Sequence, residues 1–154
     1  MSEEIKIEQV RVESVRRLRQ TVLRPDYPPE RSIYPSDALP DAQHFAAWAG
    51  NKIVGVVSVH PENLPEQLPD FKILNAWRLR GMAVDPEFQG KGVGTKILQT
   101  AIDFIKRFDA EILWCNGRAT AWAFYQSFGF EKTGEAFIVP ESGEHFVMIL
   151  RIKN

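Results

Sequence analysis

The amino-acid sequence predicts a mixed α/β (α+β) protein, a central sheet with helices on its faces. Three observations predict it. The element order reads strand, helix, loop, several strands, helix, strand, helix and two strands. A glycine-rich turn, Gln89 to Gly94, joins a strand to the strongest helix pattern in the chain. The 154 residues, 44 % hydrophobic and 25 % charged, suit one packed core better than two, so 1–154 is read as a single domain.

Each element follows from local pattern. Ile5, Ile7 and Val10, separated by polar residues, suit a first strand. Val15, Leu18 and Val22 recur at helical spacing, with Ser14 as the expected N-cap and Pro25 as the stop. Arg16, Arg17 and Arg19 then read as a solvated helix face. Arg24 to Pro40 is irregular and carries Pro25, Pro28, Pro29, Pro35 and Pro40. A loop this long is either disordered or functional, and Tyr27 and Tyr34 speak against disorder. His44–Ala49 and Lys52–His60 form a hairpin about Gly50-Asn51. Pro61–Asp70 is a second proline-bearing loop, and Trp77–Val84 is a strand ended by Asp85-Pro86. Past the glycines, Ile97, Leu98, Ala101, Ile102, Ile105 and Phe108 line one helix face. Glu111–Cys115 is a short apolar strand, and Thr120–Phe128 a helix stopped by Gly129. Phe130–Thr133 and Phe146–Ile152 close the sheet through a turn at Pro140–Glu144.

Composition excludes several function classes. A formal net charge of −1 supplies no global field for nucleic acid or an anionic membrane. The single cysteine, Cys115, forms no intramolecular disulfide and suits a reducing compartment. Met1–Val10 lacks the apolar run of a signal peptide, and no apolar stretch is long enough to span a bilayer. A soluble cytoplasmic protein is expected. One cysteine and three scattered histidines fit no zinc or calcium spacing, so no metal is expected.

The glycine turn carries the chemistry. A strand running through Gln89-Gly90-Lys91-Gly92-Val93-Gly94 into a helix creates an anion site. Amides at a helix start lack intrahelical acceptors, and the peptide dipoles add positive potential there. Lys91 adds a point charge. The Walker pattern fails, because Gly94 is followed by Thr95-Lys96. The dinucleotide pattern fails too, because Thr95 stands at the third glycine position. A plain strand-to-helix turn is the alternative.

These residues resemble the GNAT superfamily of N-acetyltransferases. Gln89 to Gly94 is similar to its Q/R-x-x-G-x-G/A signature, and Leu79–Pro86 to the strand leading into it. Downstream, Arg118–Phe130 resembles the A-x-x-F-Y-x-x-x-G-F segment, in the expected order. The resemblance implies a mixed, mostly antiparallel sheet with a splayed middle, and acetyl-CoA as cosubstrate. It implies that amides of Gln89, Gly90, Lys91, Gly92, Val93, Gly94 and Thr95 hold the pyrophosphate. It implies that the pantetheine arm pairs with the backbone of Met82, Ala83 and Val84, with Phe124 beside the coenzyme. The implied reaction is direct attack of a primary amine on the thioester in a ternary complex.

Three tasks follow: donors for the oxyanion, a proton for the thiolate, and a base for the amine. The family register assigns the oxyanion to amides near Met82–Val84 and the thiolate to Tyr125 as general acid. From periodicity alone, Phe124 and Tyr125 read as core aromatics of an amphipathic helix. His145 is a candidate base or acceptor-pocket residue, or else an exposed turn histidine. His44 and His60 read as structural. Asp37 stands as a carboxylate for a cationic amine, or as a turn former. Arg118 would hold a substrate carboxylate or CoA phosphate, or cap local structure. Cys115 reads as core rather than nucleophile. The acceptor is a small-molecule amine or a peptide, and the resemblance leaves room for a homodimer. Two other functions stay open: transfer of a different acyl group, and a non-catalytic acyl-CoA sensor.

Overall fold

The computed structural model describes residues 4–66, 68, 75–140 and 142–152. Positions 67, 69 and 70 of the second proline-bearing loop, and 141 of the last turn, lie outside the described residues. The described residues form seven strands, ordered β1-β2-β3-β4-β5-β7-β6. They are β1 (Ile5–Val10), β2 (Gln43–Ala49), β3 (Lys52–Pro61), β4 (Ala76–Val84), β5 (Ile112–Arg118), β6 (Glu131–Val139) and β7 (Gly143–Arg151). The described residues also form three α-helices: α1 (Glu13–Leu18), α2 (Val93–Lys106) and α3 (Trp122–Phe128).

The sheet is mixed and mostly antiparallel, as expected. β1 pairs antiparallel with β2, β2 with β3, β5 with β7 and β6 with β7. β4 pairs parallel with β5 over a short register: Ala76↔Ile112, Trp77↔Leu113 and Arg78↔Trp114. Leu79–Val84 lies past the end of that register.

The described residues group into two compact units, Met1–His60 with Leu79–Phe104, and Pro61–Arg78 with Ile105–Asn154. In the first, Val15, Leu18, Ala46, Val56 and Ala83 form a buried cluster. Val93, Ile97, Leu98, Ala101 and Ile102 of α2 are buried in register with a 3.6-residue repeat. Each large member stabilises by roughly 1.5–3 kcal/mol on burial, far more than helix propensity supplies. In the second unit, Ala76, Ile112, Trp114, Val147 and Ile149 make the core.

Several sequence expectations are corrected. Ser14 is not the cap of α1: it lies inside the helix, and backbone bonds Ser14 N–Arg11 O and Val15 N–Val12 O already satisfy those amides. The helix continues past Leu18 as a π-helical turn, Arg19–Leu23, and stops before Pro25. The Arg24–Pro40 segment is not wholly irregular. It holds two single turns of 3₁₀ helix, Pro29–Ser32 and Pro35–Ala38, each opened by proline. Phe108 is not on the buried face of α2. The helix ends at Lys106, and Phe108 is half exposed, tilted against Trp77 with centroids 6.0 Å apart. β5 and β6 run further than local pattern suggests. Asn116, Gly117 and Arg118 pair with Val147, Phe146 and His145 of β7, and that cross-strand pairing extends a weak strand former.

Candidate functional site

In the first unit the glycine turn is built from β4 outward. Asp85 opens a 3₁₀ turn, Pro86–Phe88, by accepting from Glu87 N at 3.0 Å. That hydrogen bond, above all, lowers the Asp85 carboxyl below its usual value, and Lys52 at 3.3 Å adds to it. Gln89 then reaches back, its Nε2 donating to Val84 O at 3.0 Å. So the signature glutamine ties the loop to the strand that precedes it.

Gly90 and Gly92 adopt φ of +76° and +83°, and a Cβ at either would meet nothing within 4 Å. Their glycine is required by backbone conformation, not by neighbouring protein. Lys96 N donates to Gly92 O at 3.1 Å, which starts the helix. Among the described residues, the amides of Gly90, Lys91, Gly92, Val93, Gly94 and Thr95 donate to no backbone acceptor. Six successive N–H groups at the positive end of a 14-residue helix are therefore available. Val93 is buried and anchors the helix start, while Gln89–Gly92 are exposed. The Lys91 ammonium lies over the Phe88 ring at 5.3 Å.

Sequence reasoning missed the centre of this unit. Arg19, expected on a solvated face, is fully buried. Its guanidinium grips Asp37 in two parallel bonds, Nη1–Oδ2 2.7 Å and Nη2–Oδ1 2.9 Å. It also donates to Ser32 O at 3.1 Å and Ser58 Oγ at 2.7 Å, and lies over Tyr34 at 4.1 Å. A signal was available: Val15, Leu18, Arg19 and Val22 share the i, i+3, i+4, i+7 face. Asp37 is thereby engaged through both oxygens and also accepts from Tyr34 N at 3.1 Å. The turn-forming role is the one its hydrogen bonds support. Burial alone would raise its pKa; the Arg19 hydrogen bond and charge outweigh that and hold it below 3.8.

His44 belongs to the same network, its Nδ1 2.6 Å from Ser58 Oγ. Ser58 Oγ thus accepts from Arg19 while hydrogen-bonded to the His44 ring. Burial, reinforced by Arg19 and opposed by Asp37, lowers the imidazole below 6.5. A folded pKa below the unfolded one contributes stability that is present above pH 6.5 and lost as pH falls through the folded value. The thermal midpoint should therefore drop between pH 8 and pH 5. His44→Gln should flatten that arm of the curve; an unchanged slope would assign the loss elsewhere. Asp37 adds a second loss below about pH 3.8 with the same sign.

In the second unit Tyr125 sits on α3 between Phe124 and Phe130, with ring centroids 5.5 and 5.2 Å away. The ring is buried and its hydroxyl is hydrogen-bonded to Cys115. Burial first, then the Cys115 sulfur, raises the phenol pKa well above 10. Burial likewise pushes the Cys115 thiol up to about 12. The thiol is inert at neutral pH, in line with its reading as core.

His145 is not an exposed turn residue. It lies within β7, buried, opposite Arg118 on β5 and Phe137 on β6. Its Nδ1 lies 2.9 Å from Gly143 O. A carbonyl only accepts, so Nδ1 carries the proton in this contact and Nε2 is the other ring position. Arg118 Nη2 donates to Ser142 Oγ at 3.0 Å. Among the described residues, no group of three or more His, Cys, Asp or Glu is placed to hold a metal ion. No described helix is long and apolar enough to cross a membrane.

Comparison with known proteins agrees with this geometry. The profile of the Acetyltransferase (GNAT) family matches residues 12–130. The chain is 25 % identical over 144 residues to the uncharacterized N-acetyltransferase YitI of Bacillus subtilis (strain 168), covering 94 % of each. It is 35 % identical over 63 residues to the [ribosomal protein bS18]-alanine N-acetyltransferase of Escherichia coli (strain K12), covering 39 % of this chain and 43 % of that one. In fold it is similar to a chain of the NatC complex solved with Gag peptide and CoA: TM-score 0.75, 16 % identity, 97 % of this chain and 99 % of that one. With its mixed sheet and its strand–glycine turn–helix unit, the chain belongs to the GNAT family of acetyltransferases and is an acyltransferase enzyme.

Proposed function

We propose that the protein, a single catalytic domain, transfers an acetyl group from acetyl-CoA to a primary amine by direct attack in a ternary complex. One observation carries it: six consecutive amides, Gly90–Thr95, lack a backbone acceptor at the start of α2. That array suits a diphosphate, because each N–H meets an oxygen without a side chain intervening. In this reading the pantetheine arm runs along Met82–Val84, past the end of the β5 register, as an added strand would. Amides of that segment donate to the oxyanion as the amine attacks the thioester carbonyl. The C–S bond breaks, and Tyr125 gives its phenolic proton to the departing thiolate. Its raised pKa keeps that proton in place at neutral pH. His145 Nε2 is the candidate acceptor for the amine proton.

The acceptor is a small-molecule amine or a peptide N-terminus. The second has support from the E. coli relative, whose name specifies an alanine of a ribosomal protein. Cytoplasmic location fits the single reduced cysteine. Acetyl-CoA at a hundredfold over its Kd should raise the thermal midpoint by about 5–10 °C. No shift would overturn the coenzyme assignment. Release of CoA thiol is then followed with an amine panel that includes a peptide bearing N-terminal alanine. A shift without thiol release from any amine would favour an acyl-CoA sensor, and release only from a longer acyl-CoA would reassign the donor.

A further inference from the structure

The mechanism leaves unused an enclosed ion pair of the first unit. Arg19 has no solvent exposure, and the Asp37 side chain is 7 % exposed. Such a pair is costly to bury, and replacing both partners by apolar groups is often neutral for stability. Stability alone therefore does not account for it, and the neighbouring strand offers a second role. β4 bends at Gly81, where φ is +63°, a left-handed value inside a strand. A Cβ there would lie 2.6 Å from Arg19 Nε and 3.1 Å from Tyr34 Cε2. Among the described residues Arg19 Nε has no hydrogen-bond partner, and it abuts this bend. Tyr34 is held between two guanidinium groups, Arg19 at 4.1 Å and Arg80 at 4.3 Å. Asp37 fixes the far end of the stack through both oxygens and through Tyr34 N. So the Arg19 side chain and the Tyr34 ring, both bound by Asp37, crowd one residue of β4.

We propose that Arg19, held by Asp37, is a positioning residue that fixes the Gly81 bend and thereby the backbone of Met82–Val84. The proposal presupposes the acetyl-CoA placement given above, since those three residues are the ones that receive the thioester there. Arg19 touches no reacting atom in this role. It sets the direction in which the amides after Gly81 point, and an ångström of misplacement at such donors slows a reaction substantially.

Asp37→Asn in the full chain tests it. The change keeps the shape of the side chain but removes the charge that orders the fork. Amide hydrogen exchange in Leu79–Val84 should accelerate about tenfold, with exchange in 89–106 unchanged. With acetyl-CoA and the best amine, well below the melting temperature, kcat should fall about tenfold and KM for acetyl-CoA change less than about threefold. Arg19→Lys, which keeps the charge but not the planar fork, should show the same pattern and serves if Asp37→Asn does not fold. Unchanged exchange at Leu79–Val84, or acceleration spread evenly over the unit, would overturn the proposal. So would a kcat within twofold of wild type beside a local acceleration. If wild-type protein neither binds nor turns over acetyl-CoA, the coenzyme reading fails by itself, and the exchange pattern still decides whether Arg19 fixes the bend.

Discussion

Tyr125→Phe is expected to lower kcat about a hundredfold while acetyl-CoA affinity changes less than about threefold. The hydroxyl is the only group lost, and the ring keeps its contacts with Phe124 and Phe130. General-acid assistance contributes about 10²–10⁴ in rate, and a thiolate is a fair leaving group, so the lower end applies. The pH profile sharpens the test. Burial holds the phenol pKa well above 10, so Tyr125 stays protonated through neutral pH and causes no decline in kcat below pH 10. Steady-state kinetics on the two proteins across pH 6–10 would check both statements. A variant with wild-type kcat would assign Tyr125 to the core alone.

Gly92→Glu is expected to weaken acetyl-CoA binding about a hundredfold or more. Two effects act in the same direction. The φ of +83° strains any residue with a Cβ, which shifts the turn away from its amide-presenting form. The added carboxylate would sit among the six amides, where it repels a diphosphate and takes up donors itself. Open space around Gly92 means that the side chain meets no protein atom, so the fold should survive. Titration calorimetry separates the contributions: Gly92→Ala carries the strain alone and should lose about tenfold at most. Affinity unchanged in Gly92→Glu would remove the coenzyme phosphate from this turn.

Much of this was legible before the structure. The hairpin about Gly50-Asn51, the Gly90–Gly94 turn and the α2 face were readable because each is set by local pattern: a turn signal, a φ requirement, a helical repeat. The mixed, mostly antiparallel sheet was expected from family resemblance, and the observed pairings bear it out. What could not be read was long-range. Arg19 meets Asp37 and Ser58 across 18 and 39 positions of chain, and polarity pointed to the surface while periodicity pointed inward. Burial won because Asp37, Ser32, Ser58 and Tyr34 together replace the water that the guanidinium gives up. The full length of β5 was hidden for the same reason: a strand is sustained by its neighbour, and β7 is distant in sequence from β5.

The state of Cys115 has a practical corollary. With a thiol pKa of about 12 and no exposure to speak of, the native protein offers electrophiles and oxidants essentially no thiolate. A chromogenic disulfide reagent added to a working assay thus counts liberated coenzyme against a silent protein background. Any alkylation of Cys115 must wait for the second unit to open, so its rate becomes a clock for transient exposure of that core. Because the sulfur touches the Tyr125 hydroxyl, the same clock would register loosening around the proposed acid.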